Sequence, residues 1–235
     1  MLRSILGFAS IVLLAGCAAS EYCVTEEFFK PRAVGGLAEF NRYFPQKIEL
    51  KPTDTASVQV SLCDNRERTV LCIETYLDEG VVFQFSRPTV TFLPAIGDKA
   101  VGIPITKVTY NVICSGPKLD EATCQSSTKS PLMNGSANKR RIRAEKIGNN
   151  FFYNDEYMFS PDQAFTGATV TVALRSFRRR YRATTESVPE PLGNEFRVIL
   201  PEVRVDGRPL GLPDLVFNRV TEDVCRPTNR RLSLQ

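Results

Sequence analysis

At 235 residues, with 43% hydrophobic side chains and 15 phenylalanines, the chain is long and apolar enough to bury a sizeable core. Its 30 Lys and Arg against 26 Asp and Glu give a formal charge of +4. It has no histidine, which excludes Ser–His and Cys–His nucleophilic mechanisms and every histidine metal site.

The chain opens with a short apolar leader. Arg3 supplies a positive start, and Ile5 to Leu14 is uncharged and mostly apolar. A hydrocarbon core about 30 Å thick needs roughly 20 helical residues to cross, so this run reads as a cleavable signal rather than a lasting span. It ends in Leu14-Ala15-Gly16-Cys17, which resembles the lipobox of bacterial lipoproteins. The resemblance implies that residues 1–16 are removed as a signal peptide. Cys17 would then carry a diacylglycerol thioether and an amide-linked acyl chain on its freed amine. One chain alone attaches a protein only marginally, whereas two or three hold it stably. Enteric lipoproteins kept in the inner membrane carry aspartate at the next position. Here it is Ala18, so the resemblance implies the outer membrane, with the body facing the periplasm.

Residues 17–46 show no sustained period and read as a lipidated tether, in which Leu37 to Phe44 could form a short helix before Pro45. From residue 47 the period is two. Val58, Val60 and Leu62 alternate with Gln59 and Ser61, and after the polar turn Asp64 to Arg68 a second strand runs from Thr69 to Leu77. Further strands are expected at Gly80 to Ser86, Thr89 to Leu93, Val108 to Val112, Val170 to Leu174, Phe196 to Leu200 and Leu215 to Val220, with a turn at Val205-Asp206-Gly207-Arg208. Residues 125–138 are rich in Ser, Thr, Asn and Gly, as in a long loop or a domain junction. Many short alternating strands with frequent turns, and no helix of crossover length, predict an all-β antiparallel sandwich. Residues 47–235 make either one elaborated sandwich or two small ones meeting near 126–147.

Setting Cys17 aside leaves six cysteines, an even set that suits disulfides in the oxidising periplasm. Six cysteines allow 15 pairings. Proximity favours Cys63–Cys72 and Cys114–Cys124, which leaves Cys23–Cys225 to tie the start of the fold to its end. No C-x-x-C occurs, so neither a metal site nor any other cofactor is expected.

Candidate chemistry is sparse. Ser126-Ser127-Thr128-Lys129 fits S-x-x-K, but the S-D-N and K-T-G elements of penicillin-recognising enzymes are missing, and so are the glycine-rich phosphate loops. Asp155, Glu156 and Asp162 lie beside Phe151, Phe152, Tyr153, Tyr157 and Phe159, where paired carboxylates could hydrolyse a glycoside or bind a sugar. The plainer reading puts these aromatics in the core and the acids in a turn.

Charge is segregated. Residues 139–182 hold ten Lys and Arg against four acids, in two knots: Lys139, Arg140, Arg141, Arg143 and Lys146, then Arg175, Arg178, Arg179, Arg180 and Arg182. If residues 175–182 are extended, Arg178, Arg180 and Arg182 share one face while Phe177, Arg179 and Tyr181 share the other. Such a ribbon would attract an acidic protein patch, an anionic glycan or anionic lipid. The competing reading is an edge strand whose charges block aggregation. Nucleic acid is not an expected partner at this address. The sequence thus points to a non-enzymatic, outer-membrane-anchored component of an envelope assembly (secretion, conjugation or appendage). The alternatives are a lipoprotein binding glycan or anionic ligand and, more remotely, a carboxylate glycoside hydrolase.

Overall fold

The computed structural model describes residues 21–35, 39–40, 44–65, 68–94, 99–116, 138–167, 169–172, 175–190 and 192–227. The leader, Cys17 and the Cys114–Cys124 pairing lie outside them, since Cys124 is not described. Every strand pairing is antiparallel, and no helix occurs among the described residues. The fold is an antiparallel β-sandwich.

The first strand, β1 (Glu21–Ala33), pairs along its whole length with the last, β17 (Leu215–Pro227). From there the sheet runs through β14 (Glu195–Ile199) and β7 (Thr89–Pro94) to the first residues of β8 (Val101–Gly116). Pro104, which has no N–H to donate, sits where the partner of β8 changes. From Ile105 onward β8 pairs with β13 (Arg175–Ser187). From Val108 its other edge takes β10 (Asn150–Phe159), itself paired with β9 (Asn138–Ile147). Beyond β13 come β5 (Arg68–Leu77), β4 (Ala56–Asn65), β3 (Lys47–Thr53) and β2 (Glu39–Phe40). The start of β13 also pairs with β12 (Thr169–Val172). A smaller sheet holds β11 (Phe165–Thr166), β6 (Val82–Phe85), β15 (Val203–Val205) and β16 (Arg208–Leu210).

The period of two selects the core. Ile48 and Leu50, Val58 and Val60, Leu71 and Ile73, Val108 and Tyr110, and Tyr181 and Ala183 point inward from five neighbouring strands. They share one cluster with Phe83, Phe85, Val203 and Val205 of the small sheet, and with Phe196, Val198, Leu215 and Phe217. Fully burying each such side chain stabilises by about 1.5–3 kcal/mol. Aromatic contacts join the layers, with Phe165 of β11 lying 4.3 Å, centroid to centroid, from Tyr181 of β13. The Tyr181 hydroxyl, in the middle of the core, donates to the Thr166 carbonyl at 2.5 Å. Next along, Gly167 has no room for a side chain, since a Cβ would fall 1.9 Å from the Asp78 carbonyl oxygen. The expected turn at Val205 to Arg208 is a two-residue hairpin loop. Asp206 and Gly207 have φ of 51° and 78°, the positive pair that a type I′ turn requires.

Two cysteine pairings agree with expectation. Cys63–Cys72 crosses diagonally between β4 and β5, and Cys23–Cys225 joins directly opposed residues of β1 and β17.

Other expectations need correction. Within the proposed tether 17–46, residues 21–33 form β1. Its partner lies some 200 residues away, which local periodicity does not register. Within the proposed helix 37–44, Glu39 and Phe40 pair with β3 as a strand. Across the proposed junction 126–147, residues 138–147 form β9, and β10 pairs with β8, so residues on both sides share one sheet. Val108 to Val112 belongs to a much longer strand, as does Leu215 to Val220.

Candidate functional site: a cationic sheet face

The outer face of the large sheet follows from the same alternation. In β5, Ile73, Thr75 and Leu77 point inward, so Cys72, Glu74 and Tyr76 point outward. Register then places Gln59 of β4 and Arg182 of β13 on either side of Glu74, and Thr109 of β8 beyond Arg182. Glu74 is a carboxylate on an outward face, yet it is only 3% exposed. Its neighbours cover it. Arg182 donates through Nε and Nη2 to one carboxylate oxygen, at 3.0 and 2.5 Å. The Tyr76 hydroxyl donates to the other at 3.3 Å. The ammonium of Lys47 lies 3.5 Å from that second oxygen, and Arg180 Nη1 lies 3.8 Å from it.

The electrostatics follow from this geometry. Burial, the largest single influence, pushes the Glu74 carboxyl up. The Arg182 hydrogen bond and the charges of Lys47, Arg180 and Arg182 outweigh it, and the net direction is down. Burial and the Glu74 charge together push the Tyr76 phenol up. Three cations therefore surround one ionised carboxylate. The carboxylate is sealed in, while the side chains of Arg180 and Arg182 remain 40% and 46% exposed. Glu74 thus works as a clamp that holds a surplus of positive charge in a fixed place. Lys107, exposed and in register with Thr184, extends the same face.

The two basic knots of the sequence fare differently. Arg180 and Arg182 share the outer face and Tyr181 points into the core, as the alternation predicts. The edge-strand reading is corrected for residues 181–184, which lie between β5 and β8 inside the sheet, while Arg179 and Arg180 pair with β5. In β9 the knot is split. Arg140 faces outward and pairs with Glu156 at 3.0 Å, whereas Arg141 Nε pairs with the fully buried Asp155 at 3.2 Å. A register shift at Asn154/Asp155 accommodates the extra residue in β9. Two strands separate Arg140 from β13, so three strand spacings, roughly 14 Å, divide the clusters. The side chains of Lys139, Arg143 and Arg178 lie outside the described residues.

The proposed carboxylate pair does not converge. Asp155 and Glu156 are consecutive strand residues, so one points into the core and the other out. Asp162 sits in the turn after β10, where its carboxylate accepts from Ser160. Tyr157 and Phe159 pack toward Tyr110, Tyr181 and Phe165 as core. Among the described residues no three potential metal ligands lie together.

No family model matches the chain, and no curated protein matches it either. The geometry of the face therefore carries the functional reading. Lys47 and Glu74 escape a sequence reading because their partners are far away along the chain. Glu74 and Arg182 are 108 residues apart.

Proposed function

We propose that the chain is a lipoprotein anchored through Cys17 to the outer membrane, facing the periplasm. It would act by binding an acidic protein partner within an envelope assembly rather than by transforming a substrate. The observation that carries this reading is the cation-rich outer face, where Glu74 holds Arg180, Arg182 and Lys47 in place on a surface built from rigid strands. Preorganised, half-exposed guanidinium groups can engage carboxylates without first paying the entropy of being ordered. A surface of one dominant sign also steers an oppositely charged partner into place, at rates that fall with ionic strength. The leader and lipobox resemblance support the address, and the disulfides suit an oxidising compartment.

The test is cross-linking in cells from a photoreactive residue at Asn111, which is exposed on the outer face opposite Glu156. Adducts to one protein, lost on Arg180→Glu with Arg182→Glu and weakened by salt, are expected. Adducts to glycan or lipid instead would favour an anionic-ligand-binding lipoprotein. No adduct from a stably folded, correctly localised protein would overturn the reading. Palmitate labelling lost on Cys17→Ser checks the anchor separately.

A further inference from the structure

The start of β1 lies very close to the cysteine that would carry lipid. Only residues 18–20 separate Cys17 from Glu21, the first residue of the strand. A chain spans at most about 3.6 Å per residue, so Tyr22 lies within roughly 18 Å of Cys17 whatever path the intervening residues take. This leash is far shorter than the 17–46 tether, and it cannot hold the body well away from a bilayer.

The ribbon end is also suited to lie against one. Tyr22 and Val24 are alternate residues on the same face of β1, and both are among the most exposed large apolar side chains of the described residues, at 48% and 43%. Tyrosine, with an apolar ring and a polar tip, partitions to the membrane–water interface. Much of the charge near the contact is paired, and the Asp223 carboxylate accepts from the Thr25 hydroxyl. Arg226, opposite Tyr22, gives both terminal nitrogens to Glu26 at 2.8 Å, while Glu27 pairs with Arg219 and Glu222 with Lys30. After Pro227, which sits opposite Glu21, residues 228–235 carry Arg230 and Arg231 and no acidic side chain. Such a basic segment is attracted to anionic headgroups. The Cys23–Cys225 disulfide joins the two strands within two residues of this end, so both are held there together.

We infer that the end of the β1/β17 ribbon is a membrane-contacting surface, with Tyr22 and Val24 seated in the headgroup region of the bilayer that holds the Cys17 lipid. The inference rests on the lipoprotein reading above, and it orients the body. The Glu21–Pro227 end faces the lipid, and the turn between β9 and β10 points into the aqueous compartment.

The chain has no tryptophan, so one substitution makes a clean reporter. Tyr22→Trp and, separately, Ile147→Trp at the far turn would be purified as the acylated full-length protein. Each would be placed in vesicles of phosphatidylethanolamine and phosphatidylglycerol, with and without brominated acyl chains. Acylation is read first, by intact mass. The expected result is a blue-shifted emission quenched by brominated lipid for Tyr22→Trp, and no change for Ile147→Trp. Acylated protein in which Tyr22→Trp is unquenched, or in which both reporters are quenched alike, overturns the contact while leaving the anchor intact. A mass without acyl chains removes the anchor and the contact together.

Discussion

Arg182 and Glu74 face each other across β13 and β5, and the guanidinium places two nitrogens on a single oxygen of a carboxylate that water scarcely reaches. The folded-state pKa of Glu74 lies below its ordinary value near 4.5. On acidification the unfolded chain therefore binds this proton first. The stabilisation is complete above about pH 4.5 and is lost as the pH falls from there through the folded pKa. Glu74→Gln should remove that part of the acid slope and lower stability at neutral pH by roughly 1–3 kcal/mol, since it leaves clustered cations without their counter-charge. Urea unfolding of both proteins from neutral pH into the acid range measures both effects.

The two disulfides should differ in weight. In the chain-entropy account, closing the 202-residue loop of Cys23–Cys225 contributes about 5 kcal/mol, and closing the nine-residue loop of Cys63–Cys72 about 2.5 kcal/mol. Replacing Cys23 and Cys225 together by serine should therefore lower the urea midpoint more than the same change at Cys63 and Cys72. Equal effects would mean that the unfolded chain already keeps its ends close.

Of the described glycines, Gly167 has the least room for a methyl group. The Asp78 carbonyl occupies the space, and the glycine itself exchanges backbone hydrogen bonds with Gly80 and Val81. Gly167→Ala should destabilise by about 1–3 kcal/mol through forced backbone movement. Thermal unfolding would show it, with Gly211→Ala, where a Cβ meets open space, as the control.

Thr185 repairs the pairing where β13 is irregular. Its hydroxyl accepts from the Leu71 amide at 3.0 Å and donates to the Glu186 carbonyl at 2.7 Å. Thr185→Val keeps the shape and orphans a buried N–H, a cost of roughly 1–3 kcal/mol. Thr185→Ser, which keeps the oxygen, should lose much less. Similar losses in the two variants would place the effect in packing instead.

Strands with one face in the core were legible in the sequence. Val58-Gln59-Val60 and Phe196-Arg197-Val198 alternate because one side meets apolar atoms and the other meets water or polar neighbours. β10 was not legible, because its inward positions include Asp155, neutralised by Arg141 from another strand, so the apolar rhythm is interrupted by a charge. β1 was hidden by Glu26-Glu27 and Phe28-Phe29, adjacent like residues that suit a ribbon exposed along much of its length. At the candidate site, the alternation of Arg180, Tyr181 and Arg182 gave half of the cluster. Glu74 and Lys47 could come only from the tertiary register. Cys63–Cys72 followed from spacing, whereas Cys23–Cys225 followed only as the remainder.

The pairing of β1 with β17 also governs how the molecule must be made. β1 waits for a partner that follows it by some 180 residues, so this side of the sandwich stays unzipped until β17 has been made. Topologies dominated by such distant partners fold slowly, in milliseconds to seconds. Throughout that interval β1 has an unmet backbone edge, open to pairing with the wrong strand.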